Sequence, residues 1–191
     1  MITESFDLPI LNWIAQNLWC PALDTLMPAI THLGDGGMIW ILTAAVLLCI
    51  PRYRNAGITA AFALLIGLVV CNLTLKPLVA RIRPFDYQLL HFGKEIPLLI
   101  APPTDFSFPS GHTCSSFAAA TALLLHERRL GSGAMVLAVL VAFSRLYLYV
   151  HYPTDVLAAI VLGTAAAFAA NYLRARLLPR VIKQKKMKYK E

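Results

Sequence analysis

Residues 38–50 read Met-Ile-Trp-Ile-Leu-Thr-Ala-Ala-Val-Leu-Leu-Cys-Ile, a continuous apolar run that contains no charged residue. The Gly-Asp-Gly-Gly sequence of residues 34–37 precedes this run, and Pro51 ends it. A helix that is apolar on every side is buried, either in the core of a large protein or in a lipid bilayer. The run therefore predicts a first, short membrane span.

Four further apolar segments follow along the chain. They are residues 56–75, 115–125, 134–148 and 156–173. A helix needs about 20 mostly apolar residues to cross a bilayer, and several of these segments come close to that length. Together with residues 38–50 they predict an all-α fold, an integral membrane helical bundle with five spans, or six if the N-terminal segment also crosses.

The composition excludes most other classes of protein. Of the 191 residues, 58% are hydrophobic and 14% are charged, and the mean hydropathy is +0.64. These values rule out a disordered chain and a coiled coil, and the four cysteines lack the spacing of a metal cluster or a disulfide framework. The length fits a single domain, so we expect residues 1–191 to form one membrane-embedded unit.

The N-terminal residues 1–35 differ from the later segments, because polar residues and two prolines interrupt their apolar pattern. This pattern predicts an amphipathic helix over residues 8–30 that lies in the membrane interface, with Trp13 and Trp19 at the depth of the headgroups. A sixth span over the same residues is the main alternative.

The net charge of +7 is concentrated in the C-terminal tail. Residues 174–191 contain eight basic residues and one acidic residue, whereas the rest of the chain has nine of each. A basic run that follows an apolar segment fits the anionic headgroups of a cytoplasmic leaflet better than it fits nucleic acid. We therefore expect lipid contacts for the tail and no nucleic-acid partner.

Basic residues directly follow the first, third and fifth spans, which predicts the orientation. They are Arg52, Arg54, Arg128, Arg129 and the tail of residues 174–191. The positive-inside rule makes their side cytoplasmic. The long connection of residues 76–110 and the turn of residues 149–153 then lie on the extracytoplasmic face of a multi-pass cell-membrane protein.

Three clusters of polar residues lie at the span ends on that extracytoplasmic face. They are Lys76-x6-Arg83-Pro84, Pro109-Ser110-Gly111-His112 and Ser144-Arg145-x5-His151-x3-Asp155. Taken one at a time, each has a plain structural explanation: cations that snorkel to the interface, a helix N-cap, and a pair at the start of a helix. Because all three fall on one membrane face, we expect them to form one site.

The residue types in these clusters suit a tetrahedral oxyanion. Lys76, Arg83 and Arg145 would supply three positive charges, and an Arg fork fits phosphate oxygens. Ser110 and Gly111 would add a hydroxyl and backbone N–H groups at a helix N-terminus, where an anion is stabilised.

The remaining residues of the clusters could carry a reaction. His151 and Asp155 could meet across the turn, so that Asp155 fixes the imidazole tautomer and leaves the other nitrogen of His151 free to attack. His112 is then left as the acid and base.

These three motifs, which cover residues 76–155, resemble the signature of the type 2 phosphatidic acid phosphatase superfamily. The resemblance implies a helical protein and, for the membrane branch, a site at the outer bilayer surface between spans. It also implies that His151 becomes phosphorylated, that Asp155 orients it, and that His112 protonates the leaving oxygen and later activates water. The groups that would hold the phosphoryl oxygens are Lys76, Arg83, Ser110, Gly111 and Arg145.

The resemblance implies an integral-membrane phosphatase that hydrolyses the terminal phosphate of a lipid. Undecaprenyl diphosphate, phosphatidylglycerophosphate and phosphatidate are the candidate substrates. We expect no cofactor and no metal ion, because three cations already neutralise the phosphate and no cluster has the ligand spacing of Zn²⁺ or Mg²⁺. The sequence leaves the choice of lipid and the oligomeric state open.

A non-catalytic transporter or lipid-binding protein is the alternative. Such a protein should carry ionisable residues in the middle of its spans, whereas here they gather at the span ends. A vanadate-binding haloperoxidase of the same family is disfavoured, because those relatives are soluble and this chain has five apolar segments. His32, beside the Gly-Asp-Gly-Gly sequence of residues 34–37, is interpreted as part of a turn rather than as a ligand.

Overall fold

A computed structural model describes the backbone of residues 3–188 and the side chains of residues 3–177. Within those limits the secondary structure is entirely helical, as predicted. The α-helices are α1 (Leu8–Leu18), α2 (Pro21–Leu33), α3 (Met38–Cys49), α4 (Arg54–Gly67), α5 (Lys76–Val79), α6 (Pro84–Phe92), α7 (Gly111–Leu124), α8 (Arg128–Tyr147) and α9 (Pro153–Lys188). A π-helical turn precedes α1 (Thr3–Asp7), and a π-helical segment joins α4 to α5 (Leu68–Leu75).

Helix α7 lies at the centre of the bundle and packs against α4, α8 and α9. Most of its residues are buried, and four of them are alanines that let neighbouring helices approach closely (Ala118, Ala119, Ala120 and Ala122). On α9, a Cβ added to Gly163 would lie only 2.4 Å from the carbonyl oxygen of Cys114. The two helix backbones are therefore in direct contact, which fixes the position of the α7 N-terminus.

Among the residues that the structure describes, three helical stretches are long and apolar enough to cross a membrane. They are Pro51–Phe92, Arg128–Tyr147 and Pro153–Leu177. A fourth candidate is the pair Pro21–Leu33 and Asp35–Cys49, which is bent by 41°. Many large apolar side chains on these helices are exposed, as expected for helices in contact with lipid. The protein is thus a membrane protein with three or four candidate spans, and the predicted number of five or six stays a prediction.

The predicted span over residues 115–125 corresponds to α7, which has 14 residues. A helix of that length extends about 21 Å, which is less than the roughly 30 Å of a hydrocarbon core. Apart from Leu124, the apolar residues of α7 are covered by neighbouring helices, so this candidate span is surrounded by protein rather than lipid.

At the second predicted span, residues 56–75, the helix continues beyond the last apolar residue of the segment. The helical path runs from Arg54 through the π-helical segment to Val79, where Ala80 takes a left-handed φ of +47°. Arg83 is extended because Pro84 follows it, and a residue before proline disfavours helical backbone. Lys76 and Arg83 are thereby held on either side of a sharp break in the chain.

The N-terminal residues form two helices, α1 and α2, that pack against α8. Their buried side chains include Leu11 and Ile14 of α1 and Met27 of α2. Trp13 is exposed, and the indole N–H of Trp19 donates to the carbonyl oxygen of Tyr147 at 3.0 Å. The segment predicted to lie in the interface therefore covers the end of the bundle that carries the polar motifs.

The predicted basic tail, residues 174–191, is described only in part. The side chains of Arg174 and Arg176 belong to α9 within the described region. Residues 178–191, with the other six basic side chains of the tail, lie outside the residues whose side chains the structure describes.

Candidate active site

The three sequence motifs meet at one end of the bundle. Five of the eight predicted site residues line a single cavity of about 280 Å³ (Lys76, Arg83, His112, Arg145 and His151). Asp155 lies behind His151, in the first turn of α9. Ser110 and Gly111 begin α7 and do not line this cavity.

The turn between α8 and α9 presents His151 to the cavity and buries it. Tyr149 takes a left-handed φ of +58°, and Pro153 begins α9 two residues after the histidine. The Nδ1 atom of His151 lies 3.5 Å from Oδ2 of Asp155, which is longer than an ordinary hydrogen bond. Catalytic hydrogen bonds are often this long in the absence of substrate. The two residues are thus paired by position, as the spacing predicts.

The environment of His151 keeps its imidazole neutral. Nε2 lies 3.4 Å from a guanidinium nitrogen of Arg83, which can only donate, so Nε2 carries the lone pair and Nδ1 the proton. Burial lowers the pKa of His151 to about 3; Asp155 opposes this change, and the charges of Arg83 and Arg145 add to it. At neutral pH the residue therefore offers an unprotonated Nε2.

Asp155 is held by groups that the sequence did not single out. Its Oδ2 accepts hydrogen bonds from the Ser107 hydroxyl at 2.5 Å and from the backbone N–H of Tyr152 at 3.0 Å. Its Oδ1 accepts from the Arg81 guanidinium at 2.6 Å. Because each oxygen is already bound, the carboxylate has little freedom to turn away from His151.

Arg81 also links this site to the N-terminal segment. A second guanidinium nitrogen donates to Oδ2 of the fully buried Asp7 at 2.6 Å. Asp7 in turn accepts from the backbone N–H and the hydroxyl of Thr154, at 3.0 and 2.8 Å. The start of α9 is therefore tied to the start of α1 through one cation and two buried carboxylates.

Lys76 and Arg83 hold a carboxylate, that of Asp105 from the loop between α6 and α7. Lys76 Nζ bonds to Oδ2, and the Arg83 guanidinium donates to Oδ1 at 2.5 Å. Burial raises the pKa of Asp105, but the hydrogen bonds and charges of Lys76 and Arg83 outweigh this effect and lower it to about 2. The two cations are thus arranged to bind an oxyanion with two oxygens.

Arg145 is buried in the wall of the cavity. One of its terminal nitrogens donates to the hydroxyl of Thr31 at 2.5 Å. Its Nε is buried and lacks a hydrogen-bond partner among the described residues. A buried unpaired donor on a cation is costly unless a ligand satisfies it. The cavity therefore favours an anion.

Ser110 acts as the N-cap of α7. Its Oγ accepts the backbone N–H of Thr113 at 3.4 Å and shares a hydrogen bond with the Thr113 hydroxyl at 2.9 Å. The helix N-cap is the structural explanation that the sequence offers for this motif. Gly111 faces Asn72, because a Cβ on it would lie 3.0 Å from Oδ1 of that residue. A role of Ser110 and Gly111 in holding an anion stays a prediction.

His112 reaches the cavity from the first turn of α7 and meets an acidic residue there. Its Nε2 lies 2.9 Å from Oδ1 of Asp35, and the other oxygen of Asp35 lies 2.8 Å from Nδ1 of His32. The sequence predicts a turn at residues 34–37. It is a turn, and it also forms a wall of the site.

A second, larger cleft of about 630 Å³ leads away from the polar cavity between α3 and α4. Its polar end includes Lys76, His112 and Asp105. The rest of its wall is mostly apolar and includes Ile41, Ala44, Leu48, Ala61, Leu64, Leu65 and Leu68. A molecule with a charged head and an apolar tail would match both ends of this cleft.

Comparison with known proteins gives the family. The sequence model of the PAP2 superfamily matches residues 56–178, which contain all three motifs. The chain belongs to the PAP2 superfamily. This result confirms the resemblance to the type 2 phosphatidic acid phosphatases.

The chain is 37% identical over 131 residues to an undecaprenyl-diphosphatase of Sulfolobus acidocaldarius, with 68% of this chain and 61% of that relative covered. It is 31% identical over 150 residues to the undecaprenyl-diphosphatase BcrC of Bacillus subtilis, with 76% of this chain and 72% of that relative covered. The match thus spans less than two thirds of the archaeal relative.

A solved structure has a similar fold. It is that of a transmembrane PAP2 type phosphatidylglycerolphosphate phosphatase from Bacillus subtilis, with a TM-score of 0.71 and 27% sequence identity. The similarity covers 92% of this chain and 87% of that one. The helical membrane fold of this chain is therefore shared with an enzyme of the same superfamily.

Proposed function

We propose that this chain is an integral-membrane lipid phosphatase. It hydrolyses the terminal phosphate of a lipid phosphate or diphosphate through a phosphohistidine intermediate. One observation supports this proposal most strongly: a neutral, buried His151 faces a cavity that contains Lys76, Arg83 and Arg145, and that cavity adjoins an apolar cleft.

In the first step, Nε2 of His151 attacks the phosphorus atom and the bond from phosphorus to the leaving oxygen breaks. His112 gives that oxygen its proton, so the leaving group departs as an alcohol or a lipid monophosphate. In the second step, His112 takes a proton from water, the hydroxide attacks the phosphohistidine, and inorganic phosphate and neutral His151 are regenerated. Asp155 keeps the proton of His151 on Nδ1 and stabilises the positive charge that develops on the ring.

Lys76, Arg83 and Arg145 hold the phosphoryl oxygens in this mechanism. They stabilise charge that grows in the transition state, once the phosphate has displaced the Asp105 carboxylate from Lys76 and Arg83. The α7 N-terminus, with Ser110 and Gly111, contributes backbone N–H groups and the positive end of the helix dipole. These cations replace a metal ion, so we propose that catalysis is metal-independent.

The apolar cleft supports a substrate with a long chain. Two relatives are named undecaprenyl-diphosphatases, and the solved relative is named a phosphatidylglycerolphosphate phosphatase. We propose undecaprenyl diphosphate as the first substrate to test, with phosphatidylglycerophosphate and phosphatidate as the alternatives. The tail of such a lipid would lie along α3 and α4 while its phosphate reaches His151.

The proposal includes the topology predicted from the sequence. Residues 1–191 form one membrane-embedded phosphatase domain with five or six spans, the site lies on the extracytoplasmic face, and the tail of residues 174–191 lies in the cytoplasm. The apolar exposed faces of the helices and the basic residues at one end of the spans support this arrangement.

A phosphate-release assay on detergent-purified protein tests the function. The wild type should release phosphate from at least one of the three lipids, with and without excess EDTA, and His151→Asn should release none. His91→Asn is the matched control, because His91 is exposed and stacks on Tyr87 outside the cavity. A wild type without activity on any lipid would contradict the proposal, and activity that is lost in EDTA and restored by Mg²⁺ would contradict metal independence.

A further inference from the structure

The turn between α2 and α3 belongs to no sequence motif of the site, yet it lies against His112. It contains two consecutive left-handed residues, Gly36 with φ +57° and Gly37 with φ +68°. Only glycine adopts such backbone without strain, so the Gly-Gly pair fixes the path of the chain here. As a result, Asp35, which precedes this pair, lines the polar cavity that contains His112 and His151.

Gly34 brings the same turn close to the histidine. A Cβ added to Gly34 would lie 2.8 Å from Cδ2 of His112 and 3.1 Å from a methyl group of Val141. No side chain fits in this space. The His112 ring is therefore packed directly against the backbone of the turn.

The Asp35 carboxylate contacts two histidines at once. Its Oδ1 lies 2.9 Å from Nε2 of His112, and its Oδ2 lies 2.8 Å from Nδ1 of His32. An ionised carboxylate only accepts hydrogen bonds, so the Nε2 atom of His112 carries a proton. Within the described part of the chain, Nδ1 of His112 has no hydrogen-bond partner and is left for the substrate.

We propose that Asp35 is a positioning residue for His112. Its carboxylate accepts the Nε2 proton of His112, holds the ring against the α2–α3 turn, and leaves Nδ1 to protonate the leaving oxygen. This inference rests on the proposed phosphatase function. The Gly-Asp-Gly-Gly turn thereby takes part in the reaction, because its Asp35 holds His112, the acid and base.

The charges around His112 explain why it needs such a partner. Burial lowers the pKa of His112 to about 4, and the charges of Arg145 and Lys76 add to this effect, whereas Asp35 raises it. The titratable and charged residues that line the cavity around it are His32, Asp35, Lys76, Arg83, Asp105, Arg145 and His151. Asp35 is the carboxylate bonded directly to the ring, so its charge offsets part of this lowering. The negative charge of a bound phosphate adds to it and favours the protonated imidazole that an acid requires.

Substrates with different leaving groups test this role. A lipid monophosphate such as phosphatidate or phosphatidylglycerophosphate releases an alcohol, which leaves only when it is protonated, whereas an aryl oxide such as that of p-nitrophenyl phosphate leaves without an acid. Asp35→Asn keeps the shape of the side chain and removes its charge. We expect kcat for the lipid monophosphate to fall by about 10- to 100-fold, as for loss of a residue that orients a functional histidine, and kcat for the aryl phosphate by less than about 3-fold.

Asp24→Asn is the matched control. Asp24, in α2, is also a carboxylate that accepts a hydrogen bond, from the Tyr147 hydroxyl at 2.6 Å, but it does not line the cavity. Its replacement should leave the ratio of the two activities at the wild-type value. Both activities are measured on the same preparation of each variant. Partial unfolding lowers both activities equally and therefore leaves their ratio unchanged.

A double variant shows whether Asp35 acts through His112. In a His112→Gln background, Asp35→Asn should lower the lipid activity by less than about 2-fold, because residues that act as a unit are not additive. Equal losses on both substrates in Asp35→Asn, or full additivity with His112→Gln, would overturn the inference. A wild type that hydrolyses neither of these substrates nor undecaprenyl diphosphate would instead contradict the phosphatase function itself.

Discussion

At the scale of single residues, the burial of His151 determines its protonation. The folded protein lowers the pKa of His151 to about 3, whereas an unperturbed imidazole titrates near pH 6.5. We therefore expect His151 to stay neutral from pH 8 down to about pH 5. Histidine NMR of the detergent-solubilised protein, with His151→Asn to assign the signal, measures this directly. A titration midpoint near pH 6.5 for that signal would contradict the environment described here.

The contact of Asp105 with Lys76 and Arg83 leads to a second prediction. Asp105→Asn removes the negative charge that competes with phosphate for these cations, while the backbone carbonyl of Asp105 still accepts from Nε of Arg83 at 2.8 Å. Inorganic phosphate should therefore inhibit the variant at about 10-fold lower concentration, which corresponds to roughly 1.4 kcal/mol.

The matched control for this measurement is Asp86→Asn, on α6 and outside the cavity. It should leave the inhibition by phosphate unchanged. An Asp105→Asn variant with unchanged or weaker phosphate inhibition would show that the carboxylate does not compete with the anion.

The sequence predicted part of this residue-level picture. Motif spacing identified His112, His151 and Asp155, and the structure lines the cavity with the first two and pairs the third with His151. It missed Asp35 and Arg81. Asp35 is 77 positions from His112, and Arg81 is 74 from both Asp7 and Asp155. Such pairings depend on how the helices pack, which no local pattern records.

At the scale of elements, the contact of α7 with α9 positions the site. Gly163→Ala places a methyl group 2.4 Å from the carbonyl oxygen of Cys114, so the helices must separate. We expect a loss of about 1–3 kcal/mol in stability, as for overpacking in a dense core. The thermal unfolding midpoint in detergent should fall accordingly.

Gly133→Ala on α8 is the control for this substitution. No atom lies within 4 Å of a Cβ built there, and alanine favours helix by up to about 1 kcal/mol over glycine. This variant should be as stable as the wild type or more stable. If Gly163→Ala unfolded at the wild-type temperature, the direct contact of the two helices would be contradicted.

The elements themselves were largely predictable, because apolar runs between charged residues and prolines mark the helices of a membrane bundle. The run at residues 38–50 corresponds to α3, and the run at residues 134–148 falls almost entirely within α8. The connection of residues 76–110, where the sequence predicts no span, contains the short helices α5 and α6. The π-helical segment before Lys76 was missed, since a change in backbone hydrogen bonding leaves no mark in composition.

At the scale of the whole molecule, the orientation in the membrane can be tested by thiol labelling. The exposed Cys20 and Cys49 are replaced by Ser, and Cys71 and Cys114 are left in place because they are buried. Lys94→Cys, in the loop after α6, should then react with an impermeant thiol reagent in intact cells. This result follows if the site end of the bundle faces outward.

Ser132→Cys, at the start of α8 beside the basic Arg128 and Arg129, is the opposite probe. It should react only after the membrane is permeabilised. The reversed pattern would contradict the predicted orientation and with it the expectation of an outer-leaflet substrate, while leaving the chemistry of the site untouched.

The phosphohistidine is the central claim, and trapping it is the most direct test. Wild-type protein that is mixed with a substrate labelled in its terminal phosphate and quenched in base should carry an acid-labile label on one residue. His151→Asn should carry none, and His112→Asn should retain the label longer because water is activated more slowly. Label that persists in His151→Asn, or a wild type that turns over without any trapped phosphate, would contradict the proposed mechanism.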